Sequence, residues 1–312
     1  MSSSEYALEA KFLVSVVVAT YNSELTIAET LESILLQDYP LIEVIITDDG
    51  SSDGTMASVH DWVELNAPKF ERIVVLTANC NEGICRNVTK GYSRAKGEWI
   101  KPIAGDDLLT PESISTFALA AANSNHAVIV SMVAPFHSTL DNRREFGEPL
   151  PVVADAELIK GDSKKLLAEL HCRNQIPAPG VFLKRQAIDE SGGIDLAFKH
   201  LDDWPLWIKL LRLNYTFGML PRVLVHYRVS ELSISASRNF TLVNRDLLND
   251  LITFYAEYQR DFVGTLDRWD QFIQVQRIRQ AVGPLRTFPR LYRLTGLVRL
   301  LSPRYWSTRI LR

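Results

Sequence analysis

Apolar positions along the chain fall into short blocks whose period switches between that of a strand and that of a helix. At 12–19, FLVSVVVA is rich in β-branched residues and bounded by the turn-like TYNS, which predicts a buried strand. Over 24–37, Ile27, Leu31, Ile34 and Leu35 recur on one helical face, with Ser23 expected as N-cap and Tyr39-Pro40 as the stop. The alternation continues with a strand at 42–47, a helix at 54–65, a strand at 72–76, a helix at 85–95 and a strand at 98–103. Strands and helices alternating at this spacing predict a parallel sheet with right-handed crossovers, and such sheets bind ligands beyond the carboxyl ends of their strands. Thr110-Pro111 opens a helix to 122, a strand follows at 127–133, and a polar, less regular segment runs to 148. Helical patterns at 162–170 and 184–190 flank the apolar IPAPGVFL, and a helix at 205–213 precedes a strand at 223–227. From about 239 the pattern turns helical. It divides the chain into a core at 1–235 and a helical, Arg-rich extension at 236–312.

At 312 residues, with 46% hydrophobic and 23% charged residues, the chain has the composition of a globular protein with a sizeable core. No apolar run approaches the ~18–20 residues of a membrane span. The start, MSSSEYALEAK, lacks the basic flank and apolar block of a secretory signal, so the expected location is the cytoplasm. Three cysteines with no zinc-like spacing read as incidental thiols. Residues 271–312 contain nine Arg and no Asp or Glu, so the net charge of −3 divides into +9 there and −12 over the first 270 residues. An acidic core disfavours nucleic acid.

Three pairs of adjacent aspartates stand at element ends: Asp48-Asp49 in VIITDDGSSDG, Asp106-Asp107 in IKPIAGDDLL and Asp202-Asp203 in KHLDDWPLWIKL. Like charges side by side repel and are tolerated mainly where a cation or ligand offsets them, which makes the three doublets candidates for one active site. A carboxylate followed by Gly-Ser-Ser can accept a hydrogen bond from a base imide; equally, Asp48 or Asp53 can cap the next helix. A hard divalent cation bound to phosphate needs one or two carboxylates, which Asp106-Asp107 supply; equally, they can form a solvated turn. Asp202-Asp203 precede Trp204-Pro205, which places Trp204 formally at the N-cap and lets the carboxylates either serve the helix electrostatically or remove a proton from an acceptor hydroxyl. Neither G-x-G-x-x-G nor G-x-x-x-x-G-K-S/T occurs, so nucleotide binding would rely on side chains.

Together these motifs resemble the inverting glycosyltransferases of family 2, in the right order over 14–235. VSVVVATYNSELTIAETLESILLQDYPLIEVIITDDGSSDGT is similar to the family's opening, NEGICRNVTKGYSRAKGEWI to its N-x-G segment, IAGDDLL to its metal-binding aspartates and LDDWPLWIKL to its base element. The resemblance implies a GT-A fold: a Rossmann-like α/β architecture with a mixed, mainly parallel sheet flanked by helices, here with a C-terminal helical appendage. It implies a nucleotide-sugar donor, in all expectation a UDP-sugar, and a saccharide or lipid-linked saccharide acceptor. It places Ala19, Thr20, Tyr21, Asn22 and Glu24 along the uracil and ribose, Asp49 at the uracil edge and Arg86 near the base or phosphates. It assigns Asp106 to the ribose or a metal-bound water, Asp107 to Mg²⁺ or Mn²⁺, and the general-base role to Asp203, with Asp202 as the neighbour to which that role could move. The alternative it leaves open is a non-catalytic relative that binds a nucleotide sugar or scaffolds polysaccharide assembly.

The chain departs from the family pattern in three places. Ala104 stands where many members have the first metal-site aspartate, Asp202 where Glu is usual, and the His often found after the Tyr-Arg segment is missing, with His226 as the candidate replacement. The interleaved Arg and apolar residues of 285–312 suit either a peripheral position on an anionic membrane or packing on the acidic core or a second copy of the chain.

Overall fold

The computed structural model describes residues 11–138, 144–229, 245–258 and 269. The chain begins as read: β1 (Val14–Thr20), α1 (Ile27–Leu35), β2 (Ile42–Asp48), α2 (Thr55–Asn66), β3 (Arg72–Thr77), α3 (Ile84–Arg94) and β4 (Trp99–Ala104). There follow β5 (Leu108–Leu109), α4 (Ser113–Ala122), β6 (Val128–Ser138), β7 (Arg144–Phe146), α5 (Val153–Ile159), α6 (Ser163–Leu170), β8 (Val181–Lys184), α7 (Arg185–Glu190), α8 (Trp204–Arg212), β9 (Phe217–Arg228) and α9 (Arg245–Glu257).

One sheet runs in the order β3-β2-β1-β4-β8-β6-β9-β5, with β7 paired to β6. Its first half is parallel, as the strand–helix alternation predicts: Val14 pairs with Ile42 and Trp99, and Ala19 with Thr47 and Ala104, so β1, β2 and β4 finish together. The second half is mixed, because β8 inserts antiparallel between β4 and β6, and β5 pairs antiparallel with β9. The strand period of two sorts β1 and β2 between two cores. Val14, Val16, Val18, Val44 and Ile46 join Leu31, Val59 and Phe117 of α1, α2 and α4 on one face, while Val17 and Ile45 join Cys85 and Val88 of α3, and Trp207, on the other. Burying each such side chain contributes roughly 1.5–3 kcal/mol, which anchors the strand ends that carry the doublets.

Two capping expectations are corrected. α1 begins at Ile27 with Thr26 at its cap; Ser23 instead accepts the Thr26 and Ile27 N–H groups on its carbonyl and donates its own N–H to Thr55 Oγ1 at 2.7 Å, so it serves the loop rather than capping. The N-cap of α8 is Asp203, not Trp204, because the Asp203 carboxylate accepts the Trp204 N–H at 2.6 Å. Residues 245–258 pack on the core, whereas the boundary expected at 235 and the Arg-rich 285–312 lie outside the described residues. Among the described residues no helix is long and apolar enough to cross a membrane.

Candidate active site

The ends of β1, β2 and β4 form the floor of the site. Asp49 donates its N–H to the Thr20 carbonyl at 3.0 Å and Gly105 donates to that of Ala19 at 2.9 Å, so the 48–53 and 105–107 turns flank the end of β1. Gly105 is required there: a Cβ would stand 2.7 Å from Thr20 Oγ1. Tyr21, Asn22 and Glu24 follow, exposed, and are laced to the neighbouring turn. Asn22 accepts the Ser52 N–H at 2.9 Å and donates its own to Ser51 Oγ at 2.8 Å, while the Glu24 N–H reaches Asp53 at 3.1 Å. Asn22 adopts φ 48°, a left-handed conformation that Asn tolerates better than most residues.

The first doublet is fully engaged by the protein. Asp48 accepts the N–H groups of Gly50 at 3.1 Å and Ser51 at 3.0 Å, and the Ser51 hydroxyl. Asp49 takes Glu82 N–H on one oxygen and Gly83 N–H on the other, each at 2.9 Å. Asp48 therefore ties its own turn, and Asp49 fastens the loop that leads into α3. Arg86 stands exposed in the first turn of that helix.

The second doublet is left wanting. Asp107 is fully buried; one oxygen accepts the Arg228 N–H at 2.9 Å and the other, Oδ2, has no hydrogen-bond partner among the described residues. Burial and then the Asp106 charge push the Asp107 carboxyl well above the usual range, and burial raises Asp106, with Arg228 opposing. Arg228 locks the turn, donating Nε to the Asp106 carbonyl at 2.8 Å and one guanidinium nitrogen to Ser138 at 2.9 Å, while the other meets Glu29. On the opposite side Lys101, fully buried in β4, donates Nζ to the carbonyls of Pro102 at 2.6 Å and Pro179 at 2.7 Å. Its burial pulls its pKa down to about 7, against the attraction of Asp107.

The third doublet begins α8. Asp203 caps the helix with one oxygen and accepts the Asn174 amide at 2.7 Å with the other. Burial, then the Asp203 charge, pushes Asp202 up to about 7; Asp203 is also raised by burial, but Asn174 and the Trp204 N–H oppose the rise. This doublet meets the floor through α3 rather than directly. Cys85 N–H points to the Lys199 carbonyl at 3.4 Å, and the charges of Asp202 and Asp203 help raise the Cys85 thiol and the Tyr92 phenol. The structure thus gathers Ala19–Glu24, Asp48-Asp49 and Asp106-Asp107 around one strand end. Among the described residues no hydrogen bond or ion pair joins Asp203 to Asp107.

Among the described residues no three His, Cys, Asp or Glu side chains gather as a metal site. Asp106-Asp107 nevertheless suit a cation held mainly by phosphate, since the orphaned, buried Asp107 Oδ2 beside a second carboxylate is the donor such an ion would satisfy. His226, half-buried on β9, lies against the rings of the exposed Phe146 at 4.8 Å and the buried Phe136 at 6.4 Å, as a packed strand histidine does. Lys101, Asn174 and Arg228 escaped sequence reasoning. The only available signal was a lysine inside a buried strand pattern; the partners that tie these residues to the site, Pro179 for Lys101, Asp203 for Asn174 and Asp106-Asp107 for Arg228, lie far away in the chain.

Comparison with known proteins supplies the rest. Residues 15–191 match the family model for glycosyl transferase family 2. The chain is 27% identical over 235 residues to the Escherichia coli UDP-Glc:alpha-D-GlcNAc-diphosphoundecaprenol beta-1,3-glucosyltransferase WfaP, covering 75% of this chain and 84% of that protein. A second Escherichia coli enzyme of the same specificity, WfgD, is 25% identical, with 77% and 87% covered. Among solved structures, Staphylococcus aureus TarS 1-349 in complex with UDP-GlcNAc superposes with a TM-score of 0.62 at 17% identity, covering 94% of this chain and 82% of that one. The mannosyltransferase PcManGT from Pyrobaculum calidifontis, in complex with GDP-Man and Mn2+, gives a TM-score of 0.59 at 16% identity, covering 98% and 90%. These structures share the GT-A architecture of a curled, mostly parallel sheet flanked by helices. The chain belongs to glycosyl transferase family 2 and is a glycosyltransferase with the GT-A fold.

Proposed function

We propose that the chain transfers a sugar, with inversion, from a UDP-sugar to a hydroxyl of a lipid-linked saccharide in cell-envelope polysaccharide assembly. The names of WfaP and WfgD, with a UDP-Glc donor and a diphosphoundecaprenol-linked acceptor, support the substrate classes, and the UDP-GlcNAc complex of TarS supports the donor. The observation that carries the reading is the unsatisfied Asp107 oxygen at the end of β4, beside the strand end where Thr20, Tyr21, Asn22, Glu24 and Asp49 would receive the nucleoside. Asp106 and Asp107 would hold Mg²⁺ or Mn²⁺, which supplies Lewis-acid neutralisation of the departing diphosphate. Arg86, exposed at the mouth of α3, would meet the base or phosphates.

Asp203 would take the proton from the acceptor hydroxyl as its oxygen bonds to the anomeric carbon and the carbon–oxygen bond to UDP breaks on the opposite face. The choice of Asp203 over Asp202 follows from their donors. Two N–H groups stabilise ionised Asp203, whereas burial beside that charge pushes Asp202 up to about 7, so the negative charge shared by the pair settles on Asp203. A cytoplasmic, membrane-peripheral position through 285–312 would bring the acceptor within reach. Metal-dependent UDP release from UDP-sugars tests the proposal: Asp203→Asn should lose at least ~100-fold in turnover with UDP affinity retained, on the scale of general-base catalysis. Full turnover in that variant refutes the base assignment.

A further inference from the structure

The helix α9 presents one side chain per turn to the segment around the third doublet. Residues 246, 250, 254 and 258 recur every fourth position, and residues at that spacing lie on one face of a helix. Asp246 pairs with Lys199 Nζ at 3.3 Å. Asp250, only 9% exposed, accepts with the single oxygen Oδ2 the backbone N–H groups of Lys199 at 2.9 Å and His200 at 2.7 Å. Phe254, fully buried, lies 4.4 Å from the Trp204 ring, and the Tyr258 hydroxyl meets Asp195 while its ring lies 5.9 Å from Phe198. The helix thus grips the chain just before Asp202-Asp203 through hydrogen bonds and just after them through an aromatic contact.

A helix that merely covered apolar surface would place an apolar residue at 250. A nearly buried carboxylate is costly unless donors satisfy it, and the donors here are two consecutive amides that belong to no helix or strand. The segment they fix is held from its other side as well, where the Lys199 carbonyl receives the Cys85 N–H of α3. The loop leading to the doublet is therefore clamped between α3, whose entry Asp49 fastens, and α9. Helix α6 completes the setting, since Trp204 Nε1 donates to the Leu170 carbonyl at 2.6 Å.

We infer that Asp250 is a positioning residue for the transfer reaction: from a helix outside the matched family segment, it fixes the 199–200 backbone and so the placement of the Asp202-Asp203 carboxylates. This rests on the assignment of that doublet as the base. Because one oxygen accepts both amides, a carboxamide can replace the carboxylate, and alanine cannot.

The test measures UDP release from UDP-glucose and UDP-N-acetylglucosamine with Mn²⁺, together with UDP binding, on the full chain. Asp250→Ala should lower kcat by ~10-fold or more, the scale at which misplaced catalytic groups cost rate, and leave the donor KM and UDP affinity within about twofold. Asp250→Asn should keep kcat within about threefold. Added to Asp203→Asn, Asp250→Ala should cost little more, since both act through one group. Amide exchange at 198–203 should accelerate in Asp250→Ala while that at 48–53 holds. Undiminished kcat in Asp250→Ala, unchanged exchange at 198–203, or a parallel loss of UDP binding overturns the inference. Should Asp250→Ala not fold, Phe254→Leu, which keeps an apolar side chain at the contact, should show the same kcat-only loss, and unaltered kcat there overturns it too. Failure of the base assignment looks different, because Asp203→Asn itself would then retain turnover.

Discussion

The turns at 48–49 and 106–107 carry the same dipeptide at the ends of parallel strands on either side of β1, yet they treat its charge in opposite ways. Asp48 and Asp49 together accept four backbone N–H groups and a hydroxyl. Asp107, just as buried, receives one N–H and leaves an oxygen unpartnered among the described residues, beside a second carboxylate. Lys101, a buried cation whose charge acts on Asp107, directs its ammonium to two carbonyls. A buried carboxylate supplied with donors is tied into the fold and needs no ion to offset its charge; one denied them is held ready for something that arrives from outside. Asp-Asp at a strand end therefore has no fixed meaning, and the donors supplied by the rest of the chain decide it.

The comparison breaks most sharply on paired substitutions. Asp107→Asn should lower metal-dependent UDP release by ~100-fold or more, the scale of losing a charge-stabilising group, with thermal stability unchanged or higher because a buried, poorly partnered charge has gone. Asp48→Ala should do the reverse in stability: it strands the Gly50 and Ser51 N–H groups and should cost about 1–3 kcal/mol in chemical denaturation. Equal stability losses in the two variants would show that both turns are structural.

Much of this contrast could not be seen in the sequence. Strands β1–β4 were legible because apolar runs ending in turn residues leave little choice, and the doublets showed themselves by charge repulsion alone. β8 was not legible: it occupies only four residues, the last three of IPAPGVFL and Lys184, and its antiparallel insertion depends on β4 and β6. Ser23 reads as a cap by identity, yet its N–H is drawn to Thr55, 32 residues away. Asp48 is tied by its own turn, but the fates of Asp49, Asp107 and Asp203 hang on Gly83, Arg228 and Asn174, whose distances along the chain follow no period. Local spacing thus located the carboxylates, while long-range contacts decided the roles of most of them.

The third doublet extends the comparison to pH. The Asp202 carboxyl is raised to about 7 by burial and Asp203, so between the usual carboxylate range and pH 7 the folded chain holds a proton that the unfolded chain has released. Its contribution to stability is therefore present at low pH and declines as pH rises from about 4 to about 7. Asp106 and Asp107, raised in the same direction, add to that decline. Asp202→Asn removes one such group and should flatten the fall of melting temperature across this range, with a gain of roughly 1–3 kcal/mol at pH 8, discounted from the full linkage value because the pair shares its charge. A melting curve whose pH dependence is untouched by Asp202→Asn would show that this carboxyl ionises as it does in water.

The finest distinction concerns a single amide. Asp203 resembles Asp49 in having both oxygens occupied, yet one of its donors is a side-chain amide, that of Asn174 in the loop before β8, where both donors to Asp49 are backbone N–H groups. That donor favours the ionised form and opposes the rise that burial imposes on Asp203. Asn174→Ala should therefore move the acid limb of the kcat–pH profile to higher pH, slowing UDP release on the acid side and sparing it on the alkaline plateau, where the carboxylate is ionised in either case. Stability should shift less than in Asp48→Ala, because Asp203 keeps the Trp204 N–H as a second donor. An unshifted limb with a uniformly lower rate would mean that Asn174 orients Asp203 without setting its charge, which would move Asp203 from the side of Asp107 in this comparison to that of Asp49.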